Sequence, residues 1–76
     1  MDNEAIVDLV GEMLGIDTGI ISEIRFKAAL WALESLPHPL SVHDIVFDVG
    51  EALGRDMGSV VDYTYAEAIE AVRKAL

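Results

Sequence analysis

Apolar residues recur at helical spacing in two separate parts of the chain. In the first part they fall at positions 6, 9, 10 and 13, and positions 7 and 14 widen the stripe. This spacing predicts an amphipathic helix from about Glu4 to Leu14. In the second part Ser41 and Asp44 form a capping-box pattern, which predicts the start of another helix. The inward side of that helix is predicted to carry Val42, Ile45, Val46, Val49 and Leu53.

Two further helices are predicted, one between these segments and one after them. From Ile20 to Leu36 apolar residues occupy nearly every face, so we expect this helix to run through the middle of the domain. Pro37 and Pro39 end it, because proline disfavours helical geometry in the preceding residue and has no backbone N–H to donate. The last helix is predicted from about Ser59 to the end of the chain, with an apolar face of Val61, Tyr65, Ala68, Ile69, Val72 and Leu76.

The first helical pattern and the turn after it recur 39 positions later. Residues 6–32 and 45–71 share 11 identical residues in 27 aligned positions, whereas roughly two are expected from average residue usage. Gly15 and Gly54 are predicted to end the first and third helices, and Asp17 and Asp56 to cap the helices that follow. The pattern therefore favours a duplicated unit.

These elements predict an all-α fold of four helices built from two tandem helix-turn-helix repeats. We place the repeats at about residues 4–36 and 43–76 of a single domain that spans residues 1–76. A Pro-His-Pro hinge at residues 37–39 is predicted to join them.

Composition limits the partners of the chain. Five basic residues against 14 acidic ones give a net charge of −9, which repels nucleic acid and anionic membranes and favours basic partners. There is no cysteine for a disulfide or a closed zinc site. The longest apolar run, residues 28–33, is too short to cross a membrane, and the sequence opens without the pattern of a secretory signal. We therefore expect a cytoplasmic protein with no membrane association.

Each predicted repeat also has the spacing of a DNA-binding helix-turn-helix, with a small residue four positions before the turn glycine. Contact with DNA needs Lys, Arg, Asn or Gln near the start of the second helix. Those places hold Asp17, Thr18, Gly19 and Glu23 in one repeat, and Asp56, Met57, Gly58 and Asp62 in the other. Direct nucleic-acid binding is therefore not expected, and a helix-turn-helix DNA-binding transcription regulator is kept as the alternative function.

The residues that could support catalysis are few. His38 and His43 are the only candidates for proton transfer near neutral pH, and both fall on or just after the proline segment. The turns at residues 15–19 and 54–58 offer one aspartate each, which is too few oxygen ligands for calcium. The sequence predicts no catalytic residue, no cofactor and no metal.

Carboxylates recur at helical spacing on the sides away from the apolar stripes. They are Asp8 and Glu12 on the first helix, Asp44, Asp48 and Glu51 on the third, and Glu67 and Glu70 on the fourth. One interpretation is a solvated surface that keeps an apolar small protein in solution. The other is a docking surface for a basic protein, including one that binds nucleic acid, with fast and salt-dependent association.

Two large aromatic residues are not explained by the pattern that the repeats share. Trp31 aligns with Glu70, and Phe47 aligns with Asp8. They either fill one asymmetric core, which the pattern favours, or anchor an interface with a partner or a second copy. The overall interpretation is a small, acidic, non-enzymatic protein-interaction module that acts as a regulator or adaptor and is able to form a homodimer.

Overall fold

The computed structural model describes all 76 residues and contains four α-helices and no strand. The predicted all-α class is therefore confirmed. The helices are α1 (Asn3–Met13), α2 (Glu23–Glu34), α3 (Val42–Ala52) and α4 (Asp62–Ala75), with a 3₁₀ turn at Met57–Ser59 between α3 and α4.

Helices α1 and α3 have the same kinds of cap, a polar side chain at the start and a glycine after the end. The Asp2 carboxylate accepts a hydrogen bond from the Ala5 amide at 2.8 Å, and the Ser41 hydroxyl accepts one from the Asp44 amide at 3.4 Å. Both helices end at a glycine with positive φ, +79° at Gly15 and +97° at Gly54, as the sequence predicts. After each glycine, the next amide bonds back to the carbonyl five residues earlier, which closes the last turn.

Helix α2 is not the central helix that the sequence predicts. It begins at Glu23, after the hydroxyl of Ser22 caps it, and within α2 only Ala29 and Leu33 are buried. Ile20 and Ile24 are each 82% exposed. A helix that is apolar on every side does not specify which side faces the core, so its pattern did not indicate that α2 lies at the surface.

The starts of the second and fourth helices also differ from the prediction. Asp17 accepts from the Gly19 amide at 2.9 Å and so closes a local turn instead of capping α2. Asp56 caps the 3₁₀ turn by accepting from the Gly58 amide at 3.1 Å. Helix α4 therefore starts at Asp62, three residues later than expected, and Val61 before it makes no side-chain cap.

The core is one cluster of buried apolar side chains to which every helix contributes. Helix α2 packs more extensively on α3 than on α1, and α4 packs more extensively on α1 than on α3. Each half of the chain therefore covers the first helix of the other half. The side chains of this cluster belong to Ile6, Val7, Val10, Leu14, Ala29, Leu33, Leu36, Ile45, Val46, Val49, Leu53, Met57, Val60, Ala68, Ile69 and Val72.

The bounds of the helices correspond at the 39-residue offset seen in the sequence. Helix α3 begins and ends 39 positions after α1, and α4 begins 39 positions after α2. Duplication itself stays an interpretation of the sequence, and so does the role of residues 37–39 as a hinge. In the structure this segment connects α2 to α3 and contains a cis peptide bond between His38 and Pro39.

Candidate protein-binding surfaces

The solvent side of α3 carries an exposed aromatic residue among three carboxylates. Ile45, Val46, Val49 and Leu53 take the inner side of the helix, as predicted, and the helical period turns the intervening residues outward. Phe47 is 43% exposed on this outer side. We call the outward set Asp44, Phe47, Asp48 and Glu51 the α3 acidic face; each of its residues is exposed.

One hydrogen bond and one pKa shift describe the local electrostatics of the α3 acidic face. The Glu51 carboxylate accepts a hydrogen bond from the Met57 amide at 3.2 Å, which holds it near the end of α3. Burial, and then the negative charges of Asp44 and Asp48, raise the pKa of Tyr65 on α4. The field of these carboxylates therefore extends beyond α3 to the neighbouring helix.

The other two predicted acidic residues form a separate group on α1. Asp8 and Glu12 are both exposed, and Asp8 accepts a hydrogen bond from the Thr18 hydroxyl at 2.7 Å. Together with Asp17 they line an open depression of about 430 Å³ whose lining includes no residue of α3. The hydrogen bond gives Asp8 a structural contact that its spacing along the sequence did not indicate.

Trp31 and Phe47 do not fill the core, so the interpretation favoured by the sequence is wrong for both. Trp31 is 73% exposed and lies on the side of α2 opposite Ala29 and Leu33. Trp31 and Phe47 do not pair with each other. The aromatic pair in the structure is His43 and Tyr65, whose ring centroids are 6.3 Å apart. Whether either residue binds a partner stays a prediction.

An apolar set around Trp31 was not predicted from the sequence. Ile24 and Ala28 precede Trp31 by seven and three residues, so all three lie on the same side of α2, and all are exposed. The signal was present in the alignment of the two halves. The corresponding positions of α4 hold Tyr63, Glu67 and Glu70, whose hydroxyl and carboxylate groups can be hydrated, whereas those of α2 are apolar.

The remaining chemical candidates are exposed side chains that form no metal-binding cluster. His38 lies in the segment between α2 and α3, His43 lies in the first turn of α3, and both are exposed. No charged or polar side chain is buried, and no three His, Asp or Glu residues are placed to hold a metal ion. None of the helices has the length and hydropathy needed to span a membrane.

Comparisons of the chain with protein-family models, with curated proteins and with solved structures found no match.

Proposed function

We propose that this chain is a small, acidic, non-enzymatic protein-interaction module that binds a basic segment of a protein partner through the α3 acidic face. The observation that carries the proposal is the exposure of Phe47 among Asp44, Asp48 and Glu51 on one side of one helix. A regulator or adaptor in the cytoplasm is the role that this activity suits.

A face that carries both aromatic and acidic groups favours a partner with Lys and Arg side chains. Carboxylates attract Lys and Arg, and the face of an aromatic ring adds attraction for the same cations while it buries their aliphatic stems. The net charge of −9 steers a basic partner toward the molecule over a long range and raises the association rate at low salt. The expected ligand is therefore a basic segment that also carries apolar side chains.

The starts of α2 and α4 do not support the alternative, a helix-turn-helix DNA-binding transcription regulator. These helices open with Glu23 and Asp62, which repel phosphate. Of the two basic residues near the start of α2, Lys27 pairs with Glu23 at 3.2 Å and Arg25 is in no ion pair, which leaves one free cation there. DNA binding accordingly remains the second candidate, with a protein partner preferred on charge.

Affinity capture with matched charge variants tests the proposal. The tagged chain is used to capture proteins from a lysate of its source cells, with and without nuclease, and the bound proteins are identified by mass spectrometry. The test variant Asp44→Asn/Asp48→Asn and the control Glu67→Gln/Glu70→Gln each remove two of the 14 acidic residues and so have the same net charge. We expect a stoichiometric, nuclease-resistant basic partner that the control retains and the test variant loses.

Three further results bear on the proposal. Phe47→Ala is expected to weaken capture by at least about tenfold if the ring is an anchor of the interface. Equal capture by the two charge variants would remove the α3 acidic face from the interaction. Recovery that depends on nucleic acid would instead support the helix-turn-helix alternative.

A further inference from the structure

Helix α2 presents a continuous apolar side to solvent. Ile24, Ala28 and Trp31 follow one another at spacings of four and three residues, which places them in one row along the helix. Ile24 is 82% exposed and Trp31 is 73% exposed, although both are among the largest apolar residues of the chain. We call this row the α2 apolar face. Large apolar side chains that are clustered and this exposed mark an interaction surface.

The charge around this row differs from the charge of the rest of the molecule. Residues 20–34 contain two acidic residues, Glu23 and Glu34, and two basic residues, Arg25 and Lys27. Their net charge is zero, so the remaining residues hold the whole charge of −9. A basic partner gains no attraction from a neutral face. Two copies that meet along α2, in contrast, bring segments without net charge against each other.

The order of side chains in the row is self-complementary. A bulky residue, a small residue and a second bulky residue follow one another, so an antiparallel second copy of α2 would place its Trp31 beside Ile24 of the first and its Ile24 beside Trp31. Ala28 then lies near the two-fold axis, where a small side chain lets the helices approach closely. Reciprocal contacts of this kind define the interface of a symmetric dimer.

We infer that the α2 apolar face is the interface of a symmetric homodimer in which two α2 helices pack antiparallel. The row and the side chains that flank it on α2 would bury on the order of 1,000 Å² in the pair, an area typical of weak, reversible complexes. The dimer therefore forms and dissociates with protein concentration. It shares no residue with the α3 acidic face, so the two proposals can fail independently.

Trp31 is the single tryptophan of the chain and reports directly on this interface. Over a dilution series, we expect its fluorescence emission to shift to shorter wavelength as the concentration rises, because the partner copy removes water from the indole. Sedimentation velocity over the same series should show the mass of a dimer at the concentrations where the shift occurs. Added salt should leave the dimer unchanged or strengthen it, since each copy carries a net charge of −9 and the face is neutral.

Two variants separate the interface from the fold. Ile24→Glu changes a residue that is 82% exposed, and Trp31→Glu introduces the residue found at the corresponding position of α4, Glu70. Both should keep the helicity of the wild type by circular dichroism and weaken dimerisation by at least about tenfold. The control Tyr63→Ser removes a side chain that is 75% exposed on α4 and should dimerise like the wild type. A wild-type chain that stays monomeric at the highest concentration, or variants that dimerise as well as it does, would overturn the inference.

Discussion

Leu14 lies against Gly50, with its Cδ1 atom 2.8 Å from the point that a β-carbon on Gly50 would occupy. The contact has a counterpart in the opposite direction, because Leu53 Cδ1 is 3.5 Å from the equivalent point on Gly11. Each pair joins the residue that caps the end of α1 or α3 to a glycine in the last turn of the other helix. The close approach of α1 and α3 therefore depends on the absence of a side chain at Gly50. A β-carbon at Gly11, in contrast, would meet Leu53 at an ordinary contact distance and would clash with Thr18 instead.

Gly50→Ala is expected to destabilise the protein although alanine favours helices. Its β-carbon would meet Met57 Sδ at 2.5 Å as well as Leu14, and overpacking of this kind costs about 1–3 kcal/mol. That cost exceeds the gain of about 0.5–1 kcal/mol from helix propensity. Urea denaturation measures the difference. A Gly50→Ala variant more stable than the wild type would contradict the prediction.

Gly15→Ala and Gly54→Ala should both be destabilising because an L-residue is strained at positive φ. The strain is about 1–2 kcal/mol at each position. At Gly15 nothing lies within 4 Å of the new β-carbon, whereas at Gly54 it would meet the Arg25 guanidinium at 2.9 Å. Thermal and urea unfolding should show Gly54→Ala to be at least as destabilising as Gly15→Ala. Because the Arg25 guanidinium is the end of a flexible, exposed side chain, it can move aside, so the difference between the two costs should be small. A cost near zero at either position would contradict the prediction.

Ser22→Ala is expected to destabilise the protein by about 1 kcal/mol through the loss of the α2 cap. The Ser22 hydroxyl accepts from the Arg25 amide at 3.1 Å, and that amide has no partner within the helix. Ser22→Asp should retain stability, because a carboxylate accepts the same bond. Ser41→Ala at the start of α3 provides the comparison, and its smaller expected cost follows from its longer bond of 3.4 Å. Urea midpoints of the three variants give the ranking, and equal midpoints for Ser22→Ala and the wild type would show that the cap contributes nothing.

Tyr65→Phe should reduce the loss of stability at alkaline pH. Burial and the charges of Asp44 and Asp48 raise the pKa of Tyr65 above its ordinary value of 10.0, so the folded state disfavours tyrosinate. Stability from this group is complete below the unfolded pKa and is lost as the pH rises through the folded pKa. As the pH rises toward the alkaline range, the urea midpoint of the wild type should therefore fall more than that of Tyr65→Phe.

Tyr63→Phe serves as the comparison for this pH effect. The pKa of Tyr63 is also raised, first by a hydrogen bond with Glu67 and then by the charge of that carboxylate. The carboxylates of α3 are not among the causes at Tyr63, so neutralising Asp44 and Asp48 should lower the pKa of Tyr65 alone. A spectrophotometric titration of the two tyrosines in single-tyrosine variants would show this, and an equal shift at both would contradict it.

Much of the helical architecture could be predicted from the period of apolar residues. The inner sides of α1 and α3 follow directly from spacing, since residues such as Val10 and Val49 recur at helical intervals between polar neighbours. The ends of these helices were predictable because glycine at residues 15 and 54 can adopt positive φ. Helix α2 was not predictable in the same way, because Ile24 and Leu33 are equally apolar although only Leu33 is buried.

The candidate surfaces were predictable only in part. The shared side of Asp44, Phe47, Asp48 and Glu51 follows from helical spacing once α3 is placed. The hydrogen bond between Asp8 and Thr18 joins residues ten positions apart across a turn, so no helical period indicates it. The separation of the α1 carboxylates from those of α3 depends on how the helices pack, which the spacing of charges along the chain does not determine.

The crossed packing of α2 on α3 and of α4 on α1 has a consequence for how the chain can be divided. A fragment that ends before residue 35 would leave the inner side of α1 partly uncovered, because it keeps α2 but lacks α3 and α4. In the intact chain a connection of seven residues, 35–41, keeps the two halves at an effective concentration of the order of millimolar. If this connection were cut, the two halves could form the core only by associating as separate molecules. Folding would then be a second-order process, and the folded complex would dissociate on dilution.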